Sequence, residues 1–554
     1  MAAERSAGIA ALDLRETSSN MDTNLPLAGR SLFDELVGRG RPDRWNIPFP
    51  FSKLIASLSQ AGGCQSRCVQ TVMIPLGRSL QRSAAAPEFF KYPRIVAAFT
   101  ADTATAGNFP LLKDRLYLGF QEKANLIEVI SFNETAGRFE FQLVKNYGAG
   151  MKPKIFYANR AVCVSCHQNR APIFSRQVWD ETNANPEIAN RLARARVAFD
   201  GLPIRIGVDV PNAVDDATDR ANLFSAYESL WLNGCGTSRR CRTRALVAAL
   251  QYRLTNERRF DFQSERFQQD FLVPFKKNWQ TRWPDGLKIP SNDIPNRDPL
   301  QFKESEQLAD VPARFEALLP LGHKEIWQWE TDRFRLVKGI GEFFSIGDIQ
   351  LIANKLNIRR NAKLPNFAAL DQAVEAMLLD PNGQAALDSA TIRRGPLRDA
   401  LFRALGIKRV KSFRRDELVL PSARLDDDES MALNVNDPKL SNFYSHCARC
   451  HATHEAFPPN FMQGSVEDVK QKMQRCADRI YYRLTMWQVP EAHRPKTPMP
   501  PATVSATQTD QWLNGGALEN MRAYVAPFVD AKFKQSPENW LSRNYETLQS
   551  CTLH

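Results

Sequence analysis

Between residues 126 and 144 the apolar positions recur with a period of two. LIEVISF and RFEFQLV alternate on either side of NETAG, where Asn133 and Gly137 supply the backbone freedom of a tight reversal. That pattern predicts a β-hairpin. Further along, the period lengthens. RANLFSAYESLWL, TRALVAALQYRL, IGDIQLIANKL, FAALDQAVEAMLL and GPLRDALFRALGI place apolar residues three and four apart, which predicts amphipathic helices. LFDELVGRG and FSKLIASLSQ predict two short helices around the proline-containing NIPFPF, and NWQTRWPDGLKIPSNDIPNRDP reads as irregular.

These patterns divide the chain into a loosely ordered N-terminus (1–40), an α+β region (41–175), a mainly helical middle (176–429) and a C-terminal domain (430–554). The acidic LDDDES near 425–429 reads as the linker before that domain. Helical signals outnumber strand signals, so the expected class is mainly α, with a larger α+β N-terminal and middle region. No run of 18 apolar residues occurs, and a membrane-spanning helix is not expected.

Two short motifs change the picture. AVCVSCHQNR carries Cys163, Cys166 and His167, and SHCARCHATHEAFPP carries Cys447, Cys450 and His451, each in the order C-x-x-C-H. In that order two thiols bond a porphyrin edge and the adjoining histidine ligates iron. Two haem c groups are therefore the expected cofactors, with His167 and His451 as iron ligands. Six further cysteines, at 64, 68, 235, 241, 476 and 551, fit three disulfides or six buried thiols. Cys64–Cys68 and Cys235–Cys241 are the natural short loops, which leaves Cys476 for Cys551. Both features point to an oxidising compartment, periplasmic or otherwise exported. MAAERSAGIAALDLRETSSN has no apolar signal segment, which reads as a missing or mis-started N-terminus.

The surroundings of the second motif are coherent. Asp437 and Pro438 suit a helix start, and the helix carrying KLSNFYSHCARCH puts Tyr444 on the face of Cys447. TPMPP offers Met499 as a sixth ligand from a proline-pinned loop, and LENMRAYVAPFV reads as a closing helix bearing Tyr524. Met486 is the reserve ligand, while Met462 is too close to His451 to reach around the ring. This order, over roughly residues 430–535, resembles the class I cytochrome c fold. The resemblance implies attachment at Cys447 and Cys450 and axial ligation by His451 and Met499, a pair suited to electron transfer.

The first motif lacks such a partner, since no methionine or histidine occurs between residues 168 and 322. Met151, Met73 and His323 are candidate ligands, as are Tyr147, Tyr157 or a lysine; otherwise the iron is five-coordinate and open. Asn159, Arg160, Gln168, Asn169 and Arg170 surround the motif as propionate partners or distal donors, and Trp179 as a packing ring or relay.

Two haems, one ligand-poor, also resemble in logic the bacterial dihaem cytochrome c peroxidase and MauG superfamily, although the motifs here lie much further apart in sequence. Rubber-oxygenase-type dihaem proteins offer a second analogy. The expected activity is electron transfer between donor and acceptor proteins. The alternatives are a peroxidase or oxygenase with a catalytic first haem, and a structural or sensory haem protein. The formal charge of +12, from 73 Lys+Arg against 61 Asp+Glu, is dispersed. It suits an acidic partner, and no nucleic-acid-binding motif accompanies it.

Overall fold

The computed structural model describes residues 9–12, 24–38, 45–64, 68–77, 79–102, 110–175, 181–204, 209–255, 263–294, 299–300, 322–358, 367–389, 391–408, 423, 437, 439–452, 458–490, 493–501, 512–529, 543 and 545–551. The linker read at 425–429, Trp179 and Pro438 lie outside them.

Six strands run in sequence order as an antiparallel meander: β1 (Val69–Ile74), β2 (Arg94–Phe99), β3 (Leu116–Gln121), β4 (Leu126–Asn133), β5 (Arg138–Lys145) and β6 (Lys154–Tyr157). The expected hairpin is β4–β5. Asn133 Oδ1 accepts from the backbone N–H groups of Thr135 and Ala136, and Gly137 takes φ +67°. Register places Met73, Ile95, Phe120, Ile127 and Val144 in one row. That row packs on α1 (Leu32–Val37) and α2 (Phe51–Ala61). Ile130, Phe141 and Leu143 turn to the other face, where they join a different apolar cluster.

The class is therefore α+β and not mainly α: the described residues are about 50% helical and 14% strand, and a six-stranded sheet organises the N-terminal half. Two of the unforeseen strands, RIVAAF and LYLGFQ, are buried on both faces. A strand covered on both sides loses its alternation and reads like a buried helix segment.

The middle region is helical. It packs around the long α4 (Asp209–Ser229), with α5 (Arg239–Leu254) and α6 (Arg335–Gly341). In the C-terminal region α7 (Ser441–His446), α8 (Ala448–His451), α9 (Val466–Arg475), α10 (Ala477–Thr485) and α11 (Ala517–Val525) surround one core. Phe443 of α7 meets Tyr524 of α11 edge to face, 5.6 Å between centroids. Asp437 does not cap α7. It closes the preceding turn through its carboxylate to Lys439 N (3.0 Å) and its carbonyl to Leu440 N (3.0 Å). The sulfurs of Cys64 and Cys68, Cys235 and Cys241, and Cys476 and Cys551 lie at bonding distance. Among the described residues no helix is long and apolar enough to cross a membrane.

Glu228 of α4 stands close under the hairpin turn, its Oε1 3.4 Å from where a Cβ on Gly137 would lie. Burial pushes its carboxyl up to about 8, against the opposing pull of Arg170 and Arg393. A carboxyl raised on folding ionises at lower pH in the unfolded chain, so it costs stability above its ordinary range, increasingly up to the folded value. Glu228→Gln should gain on the parent protein by about 3 kcal/mol as pH rises from 5 to 8. Urea denaturation at the two pH values checks this; a pH-independent difference would contradict it.

Candidate functional site

The first motif forms where β6 leaves the sheet. Ala158 N still donates to Phe141 O (2.9 Å), and then Asn159 turns the chain into α3 (Arg160–Cys166), accepting from Val162 N (3.4 Å) as its cap. Arg160 is driven into the sheet. Its guanidinium donates to Phe139 O (2.8 Å), approaches Glu140 Oε2 (3.5 Å) and lies 5.2 Å from the Phe141 ring centroid. The helix ends at His167, and Arg170, at φ +59°, folds the following loop back. That return brings Ala171 O to 3.0 Å from His167 Nδ1.

The second motif repeats this arrangement. His451 N donates to Cys447 O (2.9 Å), and His451 Nδ1 lies 2.7 Å from Pro459 O. Phe461 packs on the His451 ring at 4.5 Å, as Phe141 packs on His167 at 5.5 Å. A carbonyl only accepts, so in both rings Nδ1 carries the proton and Nε2 keeps its lone pair. Burial lowers the pKa of both imidazoles, that of His451 to about 4. Each ring is thus neutral at pH 7, the state a metal ligand requires. Burial also raises the Cys447 thiol, and pushes Cys450 up to about 11.

The two motifs meet. Asn159 Nδ2 donates to Arg449 O, between the two cysteines of the second motif, at 2.7 Å. Helices α3 and α8 are neighbours. Cys163 of the first motif and Cys450 of the second pack against the same cluster, Phe141, Ala158, Ala161 and Val164.

The residues fit covalently held porphyrin at both places. The four motif cysteines are the ones outside disulfides among the described residues, and each adjoining histidine presents a free Nε2. Around the second motif the buried Trp512 Nε1, Thr485 Oγ1 and Thr497 Oγ1 lack hydrogen-bond partners, and a porphyrin's carboxylates would satisfy such donors. Trp512 also meets His446, the residue before Cys447, at 4.7 Å.

Met499 is half-buried in a pinned loop. Its N–H donates to Arg483 O (3.1 Å), its carbonyl accepts from Trp487 Nε1 (3.1 Å), and Arg483 donates to Thr497 O (2.7 Å). Met486 is fully buried in a separate cluster with Ala477, Tyr482 and Val489, and Met462 belongs to the core beside His451.

Three of the ligands proposed for the first iron, Met73, Tyr147 and Tyr157, are occupied or placed elsewhere. Met73 lies on the α1/α2 side of the sheet, away from Phe141. The Tyr147 hydroxyl donates to Pro48 O (2.8 Å) and the Tyr157 hydroxyl to Asp34 Oδ2 (2.7 Å). Met151 is 47% exposed, and His323 is exposed on the strand His323–Trp327. Among the polar neighbours, Asn169 holds Ser291 O (2.8 Å).

Three features escaped the sequence. Phe141 serves both motifs, yet it looks like any strand phenylalanine. The carbonyls of Ala171 and Pro459 orient the two histidines, and prolines at 172, 458 and 459 marked those turns. Arg94 reaches across the sheet to Glu128 (2.6 Å), on the same face as Ile130 and Leu143. This needs Gly119 between them, where a Cβ would come within 2.2 Å of the guanidinium.

Phe141→Ala should cost about 3 kcal/mol and speed alkylation of both Cys163 and Cys450 in the haem-free chain. Denaturation and mass mapping after iodoacetamide check this. Faster labelling of Cys163 alone would show that Cys450 does not depend on the cluster.

No family model, curated protein or solved structure matches the chain.

Proposed function

We propose that the chain is a dihaem c-type cytochrome whose two haems are held side by side and exchange electrons with each other and with partner proteins. The observation that carries this reading is the convergence of two C-x-x-C-H segments, distant in sequence, on one apolar cluster. Cys163, Cys166 and His167 would hold one haem, and Cys447, Cys450, His451 and Met499 the other. The iron supplies reversible one-electron chemistry when bound. The protein's own residues orient and desolvate. Ala171 and Pro459 fix the two imidazoles, Phe141 and Phe461 pack against them, and Arg483 with Trp487 holds the Met499 loop. The packing of α7 on α11 supports the resemblance of the C-terminal region to class I cytochromes c.

The location follows from the attachment chemistry, since haem c is joined outside the bacterial cytoplasm, and the three cysteine pairs suit an oxidising compartment. Beside the Met499 loop Arg479, Arg483 and Lys496 gather over the Tyr545 ring at 4.9, 4.9 and 5.2 Å. Such a concentration of positive charge favours an acidic redox partner and association that slows as salt rises.

A second reading, a peroxidase or oxygenase with an open first iron, draws on the placement of Met73, Tyr147 and Tyr157 away from the first motif. In that reading the second haem feeds electrons to the first. One carbon monoxide bound per reduced chain, with the ligand-binding haem lost on substituting His167, would support it. No binding would favour simple electron transfer.

Expressed in a bacterium that matures c-type cytochromes, the protein should carry two haems by intact mass. Cys163→Ala/Cys166→Ala and Cys447→Ala/Cys450→Ala should each carry one. Met499→Leu should keep both haems, lose the sulfur-to-iron absorption of the ferric spectrum and lower one reduction potential. An intact mass with no added haem would sink the reading, and an unchanged spectrum in Met499→Leu would remove Met499 as ligand.

A further inference from the structure

We infer that Asn159 is the positioning residue that fixes the spacing of the two haem-bearing helices, and with it the electronic coupling between the haems. This rests on the dihaem reading.

Asn159 uses both ends of one rigid amide. Oδ1 accepts from Val162 N and caps α3; Nδ2 donates to Arg449 O at 2.7 Å. Few side chains offer an acceptor and a donor in one fixed plane. The carbonyl it meets belongs to α8, the helix of the second motif. The start of one attachment helix is thereby fastened to the other. Below this tie Cys163 and Cys450 rest on the shared cluster of Phe141, Ala158, Ala161 and Val164. Apolar contact of that kind is non-directional and tolerates sliding. A directional constraint on the interface is the Asn159 hydrogen bond. Electron tunnelling falls exponentially with the gap between porphyrin edges, so a small slip between α3 and α8 changes the rate far more than it changes stability.

Substitution can separate the two roles. In Asn159→Ser a capping oxygen remains, but the side chain is too short to reach Arg449 O. In Asn159→Asp the cap also remains, and the donor becomes an acceptor facing a carbonyl. The holoprotein and both variants would be compared by intact mass, by Soret circular dichroism, which reports the mutual geometry of two close porphyrins, and by the rate of internal electron equilibration after partial flash reduction. Both variants should keep two haems, show a weakened Soret couplet and equilibrate more slowly, by about fivefold if the effect is only the loss of one hydrogen bond from the docked state. A native couplet and native rate in either folded variant overturns the inference while leaving the dihaem reading intact. A parent protein that carries no haem overturns both, and the mass alone shows which has failed.

Discussion

Asn159 and Arg449 are 290 positions apart in the chain and joined by a 2.7 Å hydrogen bond. Everything that makes the candidate site depends on that meeting. The sheet delivers α3 at the end of its last strand, with Arg160 anchored to Phe139 and Glu140. The C-terminal helices deliver α8 with its histidine already oriented by Pro459. Neither motif alone explains why two such distant segments meet; on the proposed reading the contact does, because two redox groups brought together would act as one conduit.

Burial is the second constraint, and it works in the same sense at both motifs. Withdrawing the imidazoles from water keeps them neutral, and the carbonyl at each Nδ1 selects the tautomer that leaves Nε2 available. Withdrawing Cys447 and Cys450 from water keeps their thiols protonated. A reactive or metal-binding cysteine needs the opposite environment, an electropositive and exposed one. The surroundings of these thiols suit a finished covalent bond better than a working nucleophile.

Much of the candidate site was legible in the sequence and rather less of the fold. The C-x-x-C-H segments, the TPMPP loop and the cysteine spacing are local patterns, and local patterns survive in one dimension. The β4–β5 hairpin was legible because one face alternates. The remaining strands were not, since RIVAAF and LYLGFQ are covered on both faces, and the class is α+β where the helical periodicities suggested mainly α. The Asn159–Arg449 tie and the double service of Phe141 were beyond reach, because no local signal reports which distant segments pack together. Asn159 stood out only as a polar residue before the first motif. Its role as a cap follows from position, and its role as a tie only from three dimensions.

The most direct test of the central claim is low-temperature electron paramagnetic resonance of the holoprotein, fully ferric and then half-reduced. Two irons held side by side should couple through space, so the fully ferric spectrum should be broadened and the signal of the remaining ferric haem should sharpen when its neighbour is reduced. A fully ferric spectrum that is the plain sum of the two half-reduced ones would mean that the haems do not sense each other, and would contradict the account.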